Sequence, residues 1–496
     1  MRKENPADIA IFEENAKRPF GMRDKIGYAA GDFANDLTFV IAALFMMKFY
    51  TDIMGVSAAL VGTLMMVAKV VDAFTDVAMG QVVDRSPYTA KGKFAPWIRR
   101  FAGPVAVASF LIFAPYFADM PMGFKVFWMF FTYILWGSVC YTGVNIPYGS
   151  MASAMSDKPE ERTMLSNWRT IGATVAQIVI AVILPMVVYT TDAEGHKVLG
   201  GTQTMIASAV CSVLAVVVYM ICYHLTTERV KMQSAEGQKN VFELFKVLFT
   251  NRAFVGIVIS ALIFLLVQMT LSGMNNYIYP NYFNSAAAIS VSSLLACVVV
   301  LVLSTFVTKL SDKIGKKELS AAGAFIGAAA LFVGYIVHTK SVVVFICIYL
   351  FAYIGLAFFN LMCWAMIIDV IDDIEVKKGI RSDGTVYSVY SFARKLGQAA
   401  ANGLTGLLLT IVGYSSATAF DEDVVNGIYN VTTLFPAIGF VLLACSLLFL
   451  YPLSKKKVLS NGKITINVKL QKMFEMGRHP ISLSPNFAHD FHKKII

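Results

Sequence analysis

Val61–Asp84 reads VGTLMMVAKVVDAFTDVAMGQVVD, and its reading decides the fold. The stretch is long enough to span a membrane, since about 20 mostly apolar residues cross the hydrocarbon core as a helix. Its middle nevertheless carries Lys69, Asp72 and Asp76. On a helix, positions spaced i, i+3 and i+7 project from one face. Each charge at the bilayer centre costs roughly 2.5–3.5 kcal/mol on insertion scales. No helix needs that cost to form, so the charges imply a task. Two carboxylates one turn apart, with Thr75 beside them, resemble half of an oxygen cage for a hard monovalent cation. The plainer alternative is a buried Lys–Asp pair that only locks helices together, but Lys69 can balance just one of the two acids.

Outward from this stretch the composition agrees. Of 496 residues, 57% are hydrophobic and 15% charged, against about 25% charged in ordinary soluble domains. The apolar residues come in runs of about 20 or more, the mark of a polytopic membrane protein. The net charge of +10 sits in the loops between runs, which argues against a nucleic-acid partner and for membrane lipid. The seven Cys lie in or beside apolar runs without CxxC spacing, so neither a disulfide framework nor a zinc site is indicated. No phosphate-cradling Gly loop, GxSxG or HExxH occurs. The protein is therefore not expected to be an enzyme, and an ion gradient is the expected energy source.

Twelve spans are predicted, at roughly 26–50, 57–83, 101–118, 124–150, 163–190, 203–225, 252–276, 286–310, 319–338, 341–370, 384–413 and 430–453, by the length rule. Alternate loops hold nearly all the Lys and Arg, while the opposite loops hold only Lys125, Lys197 and Lys340. That asymmetry puts both termini in the cytoplasm. An acid–base cluster follows the second span (Asp84-Arg85, then Lys91 and Lys93) and recurs after the eighth (Asp312-Lys313, then Lys316-Lys317). The repetition implies two related six-helix bundles, 1–225 and 252–454. Residues 226–251 read as a cytoplasmic linker ending in a short amphipathic helix, VFELFKVLF, and 455–496 as a cytoplasmic tail.

Polar residues mark four further spans. The first holds Asp32, Asn35 and Asp36. Carboxylates accept hydrogen bonds from paired hydroxyls, so the deeper Asp36 suits a sugar, whereas Asp32 suits a pair near the membrane edge. The fourth holds Thr142 and Asn145 before Pro147, able to complete an oxygen cage or bridge helices. Arg169 in the fifth span needs an acid of its own half, and Asp36 is the expected partner. The eleventh carries Ser391, Arg394 and Lys395, with Ser391 and Lys395 on one face. Asp369, Asp372, Asp373 and Glu375 are expected to form gate pairs with Lys377, Lys378 or Arg381. Trp136 and Trp364 could stack on a sugar face.

With these residues in view, the chain resembles the glycoside–pentoside–hexuronide:cation symporters, the melibiose permease-like branch of the major facilitator superfamily. The stretches KIGYAAGDFAND, FYTDIMGVSAALVGTLMMVAKVVDAFTDVAMG, GKFAPWI, YILWGSVCYTGVNIPYGSM and SDGTVYSVYSFARKLG carry the likeness. The resemblance implies an all-α membrane protein of twelve transmembrane helices in two pseudo-symmetric six-helix bundles, set in the cytoplasmic membrane. It implies a secondary symporter of a sugar or glycoside (galactoside, pentoside or uronide) with Na+ or H+, Li+ being a further option, and no cofactor. Asp72, Asp76 and Thr142, with Thr75, match cation-site positions. Asp36, Asn145 and Arg169 match sugar-site positions, joined by Asn35, Ser391 and Lys395, the last a charged residue near both sites. Thr75 stands where the pattern has an amide, Asn145 where it has a second sugar-binding carboxylate, and Asn35 where it has a Lys. Losing one negative charge would make an anionic uronide more acceptable. A lysolipid cargo, or a non-transporting sensor on the same scaffold, are the alternatives.

Overall fold

The computed structural model describes residues 5–231, 249–378 and 383–461. A short helix, α1 (Pro6–Ala16), precedes twelve long ones: α2 (Met22–Ile53), α3 (Ala58–Asp84), α4 (Ala95–Ile112), α5 (Met122–Met155), α6 (Glu160–Val188), α7 (Gly201–Leu225), α8 (Arg252–Tyr282), α9 (Ala287–Ile314), α10 (Lys316–Val337), α11 (Val342–Lys378), α12 (Asp383–Ile411) and α13 (Glu422–Leu450). Among the described residues, ten of these are long and apolar enough to cross a membrane. The other two, α4 and α12, complete the set while carrying Arg99 and Arg100, and Arg394 and Lys395. A hairpin of β1 (Tyr189–Thr191) and β2 (Lys197–Leu199) links α6 to α7.

The helices sort into two sets of six. In the first, α2 packs on α6 and α7, and α4 on α7; in the second, α8 packs on α12 and α13, and α10 on α11 and α13. The repeat read from the acid–base clusters extends to backbone detail. Each set's first helix ends in a widened turn, Phe49–Ile53 in α2 and Ile278–Tyr282 in α8. The amide of Met54 then donates to Phe49 and that of Val56 to Tyr50; the amide of Phe283 donates to Ile278 and that of Ser285 to Tyr279. A residue with positive φ, Gly55 or Asn284, completes each turn.

Two spans start six or more residues before the hydropathy reading. Helix α4 begins at Ala95, six residues before the expected 101. Its start is fixed by Glu228, just beyond α7, whose carboxylate accepts the amides of Lys93, Phe94 and Ala95 at 2.7–2.9 Å. An acid at a helix N-terminus satisfies its orphan N–H groups. Burial pushes the Glu228 carboxyl up to about 7, against these donors. Arg99 and Arg100 are thereby drawn into the first turns, where their guanidinium groups lie over Tyr223 and Trp97. Helix α13 starts at Glu422 rather than 430, because Glu422 and Asp423 suit a first turn. The amphipathic segment 241–249 lies almost wholly outside the described residues, as does the tail beyond 461. Residues 455–461 are helical, and Asn461 Nδ2 donates to buried Asp373 at 3.0 Å.

The two sets meet unevenly. The end of the molecule holding α1 and residues 455–461 is called here the terminal end, and the opposite one the far end. At the far end, buried Lys48 of α2 bonds Asn281 of α8 at 2.8 Å and Tyr414, after α12, at 2.9 Å. Asn276 donates to the Leu44 carbonyl, and the hairpin pairs with Asn284 through the Lys197 amide and the Gly195 carbonyl. Helices α3 and α12 run against each other on glycines, and a Cβ on Gly62 would sit 3.0 Å from Gly406 Cα. Among the described residues, the hydrogen bonds and ion pairs that join the sets run from the far end down to Asp76.

Overpacking so close a crossing costs about 1–3 kcal/mol, enough to move an equilibrium between two arrangements. Gly406→Leu should therefore drive the far end apart. Spin labels on Ala193 and Ser416, after replacement of the native Cys, should report a longer far-end distance in that variant than in the parent. An unchanged distance distribution would contradict this packing.

Candidate functional site

The site starts from Lys69, Asp72 and Asp76, which share one face of α3 as their spacing predicts. Lys69 Nζ lies 3.2 Å from Asp72 Oδ2 and over the Phe39 ring. Asp72 Oδ1 also accepts the hydroxyl of Ser138 at 2.5 Å. Asp76 Oδ1 accepts the hydroxyl of Thr142 at 2.8 Å. Ser138 and Thr142 are one turn apart on α5, as Asp72 and Asp76 are on α3, so the two helices present two matched carboxylate–hydroxyl pairs. Ser138 was missed in the sequence, although it stands four residues before Thr142 on the same face. Helix α5 comes this close through a widened turn, Leu135–Tyr141, and a glycine: a Cβ on Gly137 would lie 3.3 Å from Asp72 Oδ1. Thr75 turns its hydroxyl to the Asp72 carbonyl at 3.2 Å.

The second acid is not left uncompensated. Lys395 of α12 crosses from the other helix set and forms an ion pair with Asp76 Oδ2. Each carboxylate is thus held by one hydroxyl and one ammonium. Asp72 takes its lysine from its own helix, and Asp76 from the opposite set. Both acids are largely buried, with side chains 12% and 13% exposed, whereas Lys395 is 40% exposed. A lysine exposed on one side can leave its partner without crossing a packed core. Ser391, one turn before Lys395, is half-buried.

Around Asp36 the expected pairing is corrected. Arg169 Nε lies 3.2 Å from Asp32 Oδ1, not at Asp36, which instead accepts the side-chain amide of Gln177 at 3.3 Å. The reason is register. A Cβ on Gly172 of α6 would strike the Ala29 carbonyl of α2, so the helices touch there. They run the same way, and Asp36 lies one turn beyond Asp32, so the guanidinium meets Asp32 first. Asn35 is corrected too: it is 1% exposed, and its Oδ1 accepts the Tyr219 hydroxyl at 2.7 Å, so it faces α7. Asn145 is half-buried and makes no side-chain hydrogen bond among the described residues.

The tryptophans part company. Trp136 is 1% exposed, packed among Phe39, Tyr133 and Tyr141, and cannot reach a ligand. Trp364 on α11 is 38% exposed and lies under the guanidinium of Arg394. Of the acids on α11, Asp373 pairs with Lys377 as expected, at 2.7 Å. Asp369 pairs with Lys316 of the repeat cluster, also at 2.7 Å. The side chain of Lys378 and residue Arg381 lie outside the described residues.

An ion pair that joins two helix sets across a seam suits the movement of a solute, and comparison with known proteins agrees. Residues 27–455 match the family model described as MFS/sugar transport protein. The chain is 32% identical over 436 residues to a glucuronide carrier protein homolog of Escherichia coli K12, covering 88% of this chain and 93% of that one. It is also 32% identical over 440 residues to an isoprimeverose transporter of Lactiplantibacillus pentosus, covering 86% and 88%. The crystal structure of a D-xylose–proton symporter superposes with a TM-score of 0.61 at 14% identity, over 86% of this chain and 97% of that one, which speaks for the fold. With that fold, this helix count and a match across nearly all the spanning residues, the chain belongs to the MFS/sugar transport protein family: it is a multi-pass membrane transporter of the major facilitator fold, not an enzyme.

Proposed function

We propose that the protein is a symporter that imports a sugar or glycoside with Na+ or H+ by alternating access. The observation that carries this reading is the ion pair between Asp76 and Lys395, which joins the two helix sets through the same carboxylate that a coupling cation would need. Asp72, Asp76, Ser138 and Thr142 offer two carboxylates and two hydroxyls, the hard oxygen donors that suit a small cation. A cation at Asp76 makes the ammonium of Lys395 redundant there. Its arrival releases the tie between the sets, and its departure restores it.

The sugar would bind beside this centre, its paired hydroxyls donating to Asp36, with Asn145, Arg169 and Ser391 around it. Asp36 suits that task because a neutral amide, rather than a cation, faces it. The relatives' names, a glucuronide carrier homolog and an isoprimeverose transporter, support a carbohydrate as cargo. The excess of Lys and Arg in alternate loops supports a terminal end on the cytoplasmic side. The far end is then the outer one, and the arrangement described is closed outward. The bundles 1–225 and 252–454 would rock about the site, joined by 226–251. Coupling must be reciprocal, so sugar tightens cation binding as much as cation tightens sugar binding.

Uptake of labelled glycosides into proteoliposomes under imposed Na+ or pH gradients tests the proposal. One of the two gradients should drive accumulation, and Asp72→Asn or Asp76→Asn should remove the stimulation. Full stimulation surviving both changes would refute the cation assignment. Asp36→Ala should abolish sugar binding while cation binding stays measurable; an unaltered sugar affinity would count against the sugar site.

A further inference from the structure

Basic side chains gather where α7 ends. Lys91, in the loop between α3 and α4, has its ammonium 5.6 Å from the Tyr223 ring centre, and the Arg99 guanidinium of α4 lies 5.7 Å from the same ring. Arg23, in the first turn of α2, donates from Nη2 to the His224 carbonyl at 3.0 Å. None of the three has a carboxylate within ion-pair reach among the described residues. A cavity of about 390 Å³ adjoins them, lined by Arg18, Arg23 and Lys91 with Asn15 and Thr227. Arg18 is already paired with Asp24, at 2.7 Å. Burial, then the charges of Arg23 and Arg18, hold the Lys91 ammonium below its usual range. The acids on the cavity wall are Glu14, exposed on α1, and Glu228, whose oxygens the α4 amides already hold.

One cation offsets the partial negative charge at a helix C-terminus. Three gathered without an acid repel one another, so the group calls for an anion. Its location says which kind. Arg23, Arg99 and Tyr223 stand at the ends of three spanning helices, the level at which tyrosines and basic side chains meet lipid headgroups. Along α7, Val210, Val213, Val217 and Ile221 are exposed and share one face by their spacing. Exposed Ile26 lies one turn further in from Arg23 on α2, and exposed Val107 two turns further in from Arg99 on α4. Apolar faces that lead out of the bilayer to a basic group are complementary to acyl chains ending in a phosphate. A soluble anion would use only the basic part.

We propose that Arg23, Lys91 and Arg99 hold the phosphate of an anionic phospholipid whose chains lie against the exposed faces of α7, α4 and α2. The site belongs to the first helix set and shares no residue with the cation or sugar positions. It rests on the membrane-spanning fold and not on the choice of cargo. The lipid ties the start of α2 and the α3–α4 loop to the end of α7.

The test is lipid binding to the purified full-length protein in neutral detergent, read by native mass spectrometry. The probes are phosphatidylglycerol and phosphatidylcholine with the same acyl chains. Each basic residue beside an anionic headgroup is worth about fivefold in affinity. The parent should therefore prefer phosphatidylglycerol by at least about tenfold, and Arg23→Gln, Lys91→Gln and Arg99→Gln should each cut that preference by about fivefold. Arg99→Lys, which keeps the charge, should retain most of it. Lys309→Gln removes an exposed charge from α9 at the same end of the molecule and should leave the preference within about twofold. A parent protein without preference would overturn the proposal. A preference that survives in all three Gln variants, or that falls as far in Lys309→Gln, would overturn this site. Displacement of the lipid by an equal concentration of glycerol 3-phosphate would overturn the lipid as occupant and leave a site for soluble anions.

Discussion

Lys395 and Asp76 form an ion pair across the seam between two helix sets, and the rest of the arrangement depends on it. A carboxylate in the membrane must find a positive charge, a proton or a metal ion, because its desolvation is otherwise too costly. Asp72 meets that demand permanently, with a lysine one turn away on its own helix. Asp76 meets it only as long as the two sets stay together at its level. The same electrostatic requirement that keeps this acid in the membrane therefore also ties it to one relative position of the halves. A small cation that satisfies Asp76 instead would remove the electrostatic reason for that position.

The surrounding packing makes the tie consequential. Glycines on α3 and α12 bring the far ends into backbone contact, and Lys48 with Asn281 and Tyr414 seals them. Below Asp76 the described residues of the two sets make no hydrogen bond or ion pair with each other. The contact thus behaves as a clamp with its jaw at the far end and its last polar link at Lys395. Interfaces of this kind are bistable rather than continuously deformable, so one ion pair worth a few kcal/mol can select between two arrangements.

Much of this was legible in the sequence because helix geometry is local. The periodicity of Lys69, Asp72 and Asp76 gives their common face directly, and the family resemblance joins Thr142 to them. The twelve spans followed from run length, and the two-fold repeat from the acid–base clusters after α3 and α9. What failed were the contacts set by register between helices. Asp32 and Asp36 share a face, and spacing alone cannot say which of them Arg169 reaches; the meeting of Gly172 with Ala29 decides it. Asn35 was joined to the sugar site through the family resemblance, but one position along a helix from Asp36 is a 100° turn, and it points to Tyr219. The start of α4 was misplaced because its cap, Glu228, comes from 133 residues further along the chain.

The most direct measurement of the central claim is cation binding to purified protein with and without Lys395, by calorimetry for Na+ at fixed pH and by proton uptake for H+. If the ammonium and the coupling cation compete for Asp76, Lys395→Gln should bind the cation at least about tenfold more tightly than the parent, by the charge-assisted hydrogen bond removed. Cation binding that is unchanged or lost in Lys395→Gln would contradict the account.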